Sequence, residues 1–267
     1  MIHPPLFIPI VTLLEIICNY SYTLNNIRNH YRIKNRYNLL EDNMCGRITF
    51  TLDKSDLITI IKDRYDIDED VDYDLPRYNI APTNQVLAII NDGKKNRIGT
   101  LKWGYVPHWA KDNKFMMINA KAETVHEKSM FKDAFKRQRC IILADGFYEW
   151  QKIGNTKLPY RITLTDSKLM VFAGLWTSNI LEDGTKQYTC TILTTTPNDL
   201  MRNIHDRMPV ILNEETEKLW LNPHITDVDV LKSLLVPYPE DKMTAYRVSD
   251  IVNNARYDSI ECIKPLS

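Results

Sequence analysis

CIILADGFYEW (residues 140–150) is the first of four strand-like runs that decide the fold class, and it is followed by YRITLT (160–165), MVFAGLWTS (170–178) and QYTCTILTT (187–195). These runs are rich in β-branched and aromatic residues, which strands favour. Between them lie the pairs Gly154-Asn155, Asp166-Ser167 and Asp183-Gly184, residue types that reverse the chain in tight turns. Consecutive runs joined by such turns predict hairpins and therefore an antiparallel sheet.

The flanking segments add helices and further strands. Apolar periodicity predicts helices near 53–65, 123–137, 199–204, 214–221 and 228–235, and strands near 45–52, 86–90, 98–106, 116–122, 208–212 and 245–248. Asn91-Asp92-Gly93 is a hairpin signal between two of these strands. Together the pattern predicts an α+β fold in a single domain, 44–267, with a mainly antiparallel sheet or barrel-like core and flanking helices.

Charge and cysteine usage exclude several classes of protein. The 267 residues contain 34 Lys+Arg and 34 Asp+Glu, so the net charge is zero and nucleic-acid binding requires a local basic patch. The five cysteines, at positions 18, 45, 140, 190 and 262, are far apart and form no C-x-x-C pair. This predicts a reducing compartment, no disulfide framework and no zinc site or other cofactor. All except Cys45 are expected to be buried small apolar residues.

Residues 1–43 differ from the rest of the chain. Their apolar run at 5–18 contains Glu15 and is shorter than the roughly 20 residues that cross a bilayer. It has neither the basic start nor the small-residue cleavage site of a secretory signal. Three explanations stay open: a start codon chosen too far upstream, a removable pro-segment, or a membrane-associated leader.

Four polar residues stand in apolar or irregular surroundings: Cys45 before the first strand, Asn119 in MMINAK, Glu149 in DGFYEW and His205 in NIHDRMP. Each has an ordinary structural explanation by itself. A carboxylate on a strand can face solvent, a lone His more often makes a structural hydrogen bond than it catalyses, and Asn119 can cap a helix.

Six motifs in order resemble one family. They are MCGR (44–47), RYNIAP (77–82), WGYVPHW (103–109), NAKAET (119–124), GFYEW (146–150) and HDRMP (205–209). Their combination is similar to the SRAP family, the SOS response-associated peptidases that are also described as abasic-site processing proteins. The resemblance extends from Met44 to about Pro265 and leaves residues 1–43 outside.

The resemblance implies a protein that shields abasic sites in single-stranded DNA. In that family the initiator Met is removed, and the terminal Cys forms a thiazolidine cross-link with the aldehyde of the ring-opened sugar. The residue type fits this chemistry, because an N-terminal Cys carries an amine that forms a Schiff base and a thiol that closes the ring. An amide nitrogen cannot do so, and Cys45 is therefore competent only after removal of residues 1–44.

The resemblance also implies roles for other residues in a lyase-like, cross-linking reaction. Glu149 is expected to be the general acid/base, with a pKa raised by its aromatic neighbours. Asn119 would hold the amine or the sugar hydroxyls, and His205 would move a proton at the sugar oxygen and assist reversal of the cross-link.

Five residues are expected to bind the DNA itself. Arg47, Lys121 and Arg207 would grip the phosphates that flank the lesion, and Trp109 and Phe115 would stack on neighbouring bases. The family often has Arg at the position of Lys121, which keeps the charge here but loses the planar two-point contact. Somewhat weaker phosphate binding is therefore expected at this position.

Two other functions compete with this interpretation. A thiol peptidase or autoprocessing enzyme would use Cys45 as nucleophile, His205 as base and Asn119 to orient it. A plain single-strand binder would use the aromatic and basic residues without a covalent step. For the cross-linking function we expect a monomer without a membrane partner, located in the cytoplasm or on the nucleoid, or in the nucleus if the organism is eukaryotic.

Overall fold

The computed structural model describes residues 45–69, 71–110 and 115–266, which belong to one compact unit. The strands are β1 (Ile48–Phe50), β2 (Arg77–Ile80), β3 (Gln85–Asn91), β4 (Asn96–Trp103), β5 (Asn119–Lys121), β6 (Arg139–Ala144), β7 (Gly146–Ile153), β8 (Thr156–Leu164), β9 (Met170–Ile180), β10 (Lys186–Thr195), β11 (Met208–Pro209) and β12 (Met243–Arg247). The helices are α1 (Lys54–Tyr65), α2 (Lys132–Arg137), α3 (Asp199–Arg202), α4 (Glu214–Leu221) and α5 (Val228–Ser233), with 3₁₀ turns at Glu240–Lys242, Asp250–Asn253 and Ile260–Ile263. The explanations given above for residues 1–43 concern a segment outside the described residues.

A closed barrel forms the larger part of the core. Its strands pair in the order β10, β4, β3, β6 and β9, and β9 returns to β10. The β10–β4 pair is parallel and the other pairs are antiparallel. All six residues of β6 are buried, as expected for a strand whose two faces both contact protein. Closure leaves these strands without a free edge.

A second, antiparallel sheet has the order β12-β8-β7-β1-β2. β1 lies inside it, with β7 on one side and β2 on the other, and all three of its residues are buried. Ile48 pairs with Phe147 of β7, and the Tyr148 backbone amide donates to the Arg47 carbonyl at 2.9 Å. The segment just before β1, which carries Cys45, is therefore held beside β7.

β10 also connects the barrel to two short strands. Ile192 of β10 pairs with Asn119 of β5 in parallel, and Thr195 pairs with Met208 of β11 in antiparallel. Asn119 and the loop that precedes Met208 are thus both anchored to the same strand.

The α+β class is confirmed, and so are the hairpins β3–β4, β7–β8 and β9–β10 at their predicted turns. Residues 140–150, however, are not one strand. The chain leaves the barrel at Asp145 and enters the second sheet at Gly146. A Cβ at Gly146 would lie 2.8 Å from the Ile162 carbonyl oxygen, so only glycine fits this close crossing. The sequence does not show the break between the two strands, because both are apolar.

The turn at Asp166-Ser167 is also not a hairpin. β8 pairs with β7 and β12, whereas β9 pairs with β6 and β10, so this turn carries the chain from one sheet to the other. The prediction of one sheet from consecutive hairpins was wrong in this respect, because a turn sequence reverses the chain without specifying which strand it joins.

The predicted helix at 123–137 is shorter than expected. Only Lys132–Arg137 is helical, and the residues before it form successive turns. Val125 and Phe131 are both buried, but residues six apart point about 120° away from each other on a helix. A series of turns places both side chains in the core. Within the helix itself, Ala134 and Phe135 are buried.

Two further observations concern the class of the protein. Among the described residues, no helix is both long and apolar enough to cross a membrane. Cys140, Cys190 and Cys262 are buried free thiols, as predicted. Cys18 lies outside the described residues.

Candidate active site

Cys45 lies at the junction of the two sheets. It is fully buried, and its carbonyl oxygen accepts a hydrogen bond of 2.8 Å from Asn119 Nδ2. This contact joins the segment before β1 to β5, across 74 positions of sequence. The predicted nucleophile and the predicted amide are therefore direct neighbours.

Glu149 is a buried carboxyl on β7 with an exposed fraction of 2%. Burial raises its pKa to about 8, and the charge of Asp206 acts in the same direction, while the Trp150 backbone amide opposes them. Its Oε1 atom has no hydrogen-bond partner within the described part of the chain. At neutral pH this side chain is therefore mostly protonated, and it has a polar atom free for a reactant.

Burial also raises the pKa of the Cys45 thiol well above its usual value. The nearby Glu149 carboxylate raises it further, and a hydrogen bond with the Arg47 backbone partly offsets the effect. The thiol is thus kept neutral, unlike the thiolates of enzymes that activate a cysteine by lowering its pKa.

Asn119 supplies a second unpaired atom. It is 2% exposed, and its Oδ1 atom has no hydrogen-bond partner among the described residues. Buried acceptors without a partner are rare and costly in folded proteins. Asn119 Oδ1 and Glu149 Oε1 are both available beside Cys45, which makes this the place for a group that donates hydrogen bonds.

His205 lies in the loop between α3 and β11. Its Nδ1 atom is 3.1 Å from the Arg207 backbone amide, which donates to it, and 3.2 Å from Asp206 Oδ1. Gln151 of β7 ties this loop to the strand of Glu149 by donating to the Asn203 carbonyl at 2.8 Å. Because the charge of Asp206 also affects the Glu149 pKa, the loop lies on the same side of the molecule as Glu149.

Arg47 is held in one orientation by several contacts. Its Nη1 atom donates to Asn79 Oδ1 at 2.7 Å and to the Val252 carbonyl at 2.6 Å. The guanidinium lies over the Trp150 ring, 5.7 Å from the ring centroid. Its buried Nε atom has no partner in the described structure. This arginine is therefore fixed on one side and has an unused donor.

Arg207 is more fully occupied. Its two Nη atoms donate to Glu123 at 2.7 and 2.9 Å, and one also donates to the Thr194 carbonyl at 2.5 Å. Nε is buried and has no hydrogen-bond partner among the residues that the structure describes. Most of its hydrogen-bonding capacity serves to fix the His205 loop against β10. Lys121, in contrast, is exposed at the end of β5.

Trp109 and Phe115 form an exposed aromatic pair. Their rings are 5.1 Å apart in an edge-to-face arrangement, and the side chains are 52% and 44% exposed. Large aromatic side chains at this exposure are not core residues, so core packing does not explain them.

The structure thus brings Cys45, Asn119 and Glu149 into one buried site and puts the His205 loop next to it. Sequence reasoning did not single out Asn79, Glu123 or Asp206, although all three lie within or directly beside quoted motifs. Their roles depend on partners far along the chain, which no local pattern shows.

Within the described ranges, no group of three or more His, Cys, Asp or Glu residues is arranged to hold a metal ion. A surface cavity of 590 Å³ includes Asp145, Arg161 and Lys168 but none of the predicted site residues.

Comparison with known proteins identifies related chains. The sequence model described as "SOS response associated peptidase (SRAP)" matches residues 44–255. "Abasic site processing protein YoqW" from Bacillus subtilis (strain 168) is 50% identical over 227 residues, covering 83% of this chain and 99% of that protein. "Abasic site processing protein YedK" from Escherichia coli (strain K12) is 30% identical, covering 84% and 100%. A crystal structure of a Bacteroides thetaiotaomicron protein matches with a TM-score of 0.73 at 24% identity, covering 83% and 100%, which shows a shared fold.

Proposed function

Because the chain belongs to the SOS response associated peptidase (SRAP) family, we propose that it processes abasic sites by forming a thiazolidine cross-link with them through Cys45. The curated relatives above carry the name abasic site processing protein. The observation that carries the proposal is the buried site in which Cys45 lies between Asn119 and a carboxyl, Glu149, whose pKa is about 8. The functional unit in this proposal begins at Cys45.

The two unpaired acceptors support a free amine at Cys45. Removal of residue 44 converts the Cys45 amide nitrogen to an amine, which has up to three hydrogen atoms to donate. Asn119 Oδ1 and Glu149 Oε1 have no partner among the described residues, and they are the acceptors for this amine. The ammonium form would also favour ionisation of Glu149, so that one proton is shared between the two groups.

Apart from the amine and the thiol of Cys45, the reaction requires the protein to supply only proton transfers. The amine attacks the aldehyde carbon of the opened sugar, and the resulting carbinolamine loses water to give an imine. The Cys45 sulfur adds to the imine carbon, while its proton moves to the nitrogen, and the five-membered ring is closed. The proton shared between the amine and Glu149 allows the carboxyl to give a proton to the leaving oxygen and the carboxylate to take one back from the nucleophile.

His205 is the second proton carrier in this proposal. Its Nδ1 atom is occupied by the Arg207 amide at 3.1 Å, which leaves Nε2 to face a reactant. A ring nitrogen at this position can exchange a proton with the sugar hydroxyl, in the forward direction and during reversal.

The DNA would reach the site along the basic and aromatic residues around it. Cys45 is fully buried, so the abasic sugar has to turn out of the strand to enter the site. Trp109 and Phe115 are exposed and suited to stacking on the bases on either side. Arg47 and Lys121 are the phosphate contacts, and Arg207 contributes mainly by holding the His205 loop.

The peptidase alternative receives less support. A thiol peptidase requires a thiolate, and here both burial and Glu149 raise the pKa of Cys45. Among the described contacts, the His205 ring meets Asp206 and Arg207 rather than the thiol.

A cross-linking assay tests the proposal. A chain started at Met44 is incubated with single-stranded DNA that carries one abasic site, and the mixture is run on a denaturing gel without a reducing agent. We expect a heat-stable band of protein-bound DNA, because the thiazolidine needs no reduction to persist.

Two controls accompany this assay. Cys45→Ala removes the thiol, and a chain with a fixed extra residue before Cys45 removes the amine; neither should give the stable band. A band of equal intensity from either control would overturn the thiazolidine proposal.

A further inference from the structure

Asn79 lies near the end of β2, where this strand meets Arg47 and residues 250–258, which are called the C-terminal segment below. It is 1% exposed, and its side chain uses both of its polar atoms. Oδ1 accepts from Arg47 Nη1 at 2.7 Å. Nδ2 faces the carbonyls of Tyr257, Asn254 and Val252 at 2.7, 3.1 and 3.3 Å. The Asn79 amide is therefore fully engaged and has one rotational orientation.

The same carbonyl that binds Asn79 also binds Arg47. The Val252 oxygen accepts from Arg47 Nη1 at 2.6 Å and from Asn79 Nδ2 at 3.3 Å. Arg47 and Val252 are 205 positions apart. Asn79 thus closes a small ring of hydrogen bonds, in which the C-terminal segment and β2 together fix one edge of the guanidinium.

The remaining face of Arg47 is left for another group. Its Nε atom is buried and has no partner in the described structure, and Trp150 covers the plane of the guanidinium. A guanidinium bonds an anion best when two of its nitrogens point in the same direction, and holding Nη1 by other partners leaves Nε and Nη2 as that pair.

The C-terminal segment is itself tied to β2. Asp258 accepts from Arg77 Nε at 2.5 Å and from the Tyr78 backbone amide at 2.6 Å. Val252 and Cys262 pack with Tyr148 in a small apolar cluster that is separate from the main core. These contacts hold the carbonyls that Asn79 requires.

We infer that Asn79 is a positioning residue that aims Nε and Nη2 of Arg47 at a phosphate of the DNA beside the lesion. This inference rests on the proposed function, because it takes Arg47 to be a DNA contact. In this role residues 250–258 support DNA binding through the carbonyls that hold Asn79 and Arg47. Without Asn79, Arg47 keeps its charge, but its guanidinium is no longer held in this orientation.

Binding of DNA that cannot form the cross-link separates this role from the covalent step. The probe is single-stranded DNA with a tetrahydrofuran site, which has no aldehyde and cannot cross-link. Fluorescence anisotropy is measured for the chain beginning at Cys45 over a range of salt concentrations. We expect Arg47→Ala to raise Kd about 10-fold and Asn79→Ala about 5-fold, since a charge-assisted contact is lost or misdirected.

The double variant is the deciding measurement. If Asn79 acts through Arg47, Arg47→Ala with Asn79→Ala should resemble Arg47→Ala alone, within about 2-fold, instead of showing the product of the two effects. Lys121→Ala is the matched control: it removes another cation, and its effect should multiply with that of Asn79→Ala. For Arg47→Ala, the slope of the logarithm of Kd against the logarithm of the salt concentration should decrease by about 0.7, the value for one lost phosphate contact on a single strand.

A second variant protects the test against misfolding of Asn79→Ala. Asp258→Asn weakens the attachment of the C-terminal segment while leaving Asn79 intact, and it should raise Kd in the same non-multiplicative way with Arg47→Ala. Effects of Asn79→Ala and Asp258→Asn that multiply with Arg47→Ala, or unchanged binding in both, would overturn the positioning role and leave the proposed function standing. Unchanged binding in Arg47→Ala itself would overturn the phosphate contact and the inference with it.

Discussion

Glu149 is a buried carboxyl whose raised pKa bears on the stability of the fold, and in the proposed function it is also the acid/base. A carboxyl group in water has a pKa of about 4.3, whereas burial raises that of Glu149 to about 8. The folded protein therefore holds a proton that the unfolded chain releases above pH 4.3. The free energy of unfolding should be unaffected by this group at acid pH and should decrease as the pH rises, until Glu149 ionises near pH 8.

Glu149→Gln should therefore stabilise the protein while it slows the reaction. In a chain that retains residue 44, we expect the substitution to raise the free energy of unfolding by about 2–3 kcal/mol at pH 7, since the amide has no ionisation to suppress. Denaturant titrations at several values between pH 4.5 and pH 8 provide the measurement, and the cross-linking rate of the processed chain provides the second readout.

Glu182→Gln is the matched control, because Glu182 is exposed in the turn between β9 and β10. It should change neither the pH dependence nor the rate. A Glu149→Gln protein with the parent's pH dependence would contradict the buried, neutral carboxyl. Parent-like cross-linking kinetics would remove Glu149 from the mechanism.

At the scale of elements, the crossing between barrel and second sheet positions the site. β7, which follows the crossing, carries Glu149, and β1 pairs with β7 and brings Cys45 beside it. Asp145 fixes this crossing by accepting from Thr49 Oγ1 at 2.5 Å and from Arg161 at 3.1 Å. Gly146 permits the close approach.

Gly146→Ala should accordingly destabilise the fold. The added Cβ would lie 2.8 Å from the Ile162 carbonyl oxygen, which cannot yield without moving β8, and 3.0 Å from Thr49 Oγ1, which is bonded to Asp145 and Arg161. We expect a loss of about 1–3 kcal/mol in the free energy of unfolding, measured by chemical denaturation.

Gly99→Ala is the comparison for this substitution. Gly99 is an exposed residue of β4, and a Cβ added there would have no other atom within 4 Å. Its replacement should change stability by less than about 0.5 kcal/mol. Equal effects of the two substitutions would show that the crossing is not sterically constrained.

The elements also show what the sequence could and could not predict. Turn residues identified the hairpins around Gly93, Gly154 and Gly184, because a positive φ at these glycines is a local property of the turn. The parallel pairing of β10 with β4 and β5 has no such local sign, since its partners are far apart in sequence. For the site, motifs identified Cys45 and Glu149, whereas the role of Asn79 depends on carbonyls more than 170 positions away.

At the scale of the whole molecule, the decisive question is the residue at which the active chain begins. The thiazolidine chemistry requires a free amine at Cys45, and Cys45 is buried among residues that cover it completely. We expect the mass of the cross-linked protein, measured intact after nuclease digestion, to correspond to a chain that begins at Cys45. A cross-linked species that retains residues 1–43 would contradict the requirement for an amine.

Met44→Leu in the full-length gene distinguishes how this terminus arises. If translation starts at Met44, the substitution should abolish the species that begins at Cys45 and the cross-link with it. If a longer chain is cut, the species should persist. Either result keeps Cys45 as the reactive terminus and separates an upstream start codon from a pro-segment.

The central position of β10 sets an order of events during synthesis. Ribosomes make a chain from its N-terminus, so Cys45 emerges long before residues 186–209, which bring β10, the His205 loop and β11 into place, and before Val252, which holds Arg47. Until then the first residues have no pocket to enter. If Cys45 is freed as proposed, we expect this to happen on the growing chain, because the segments made later bury Cys45 in the completed site.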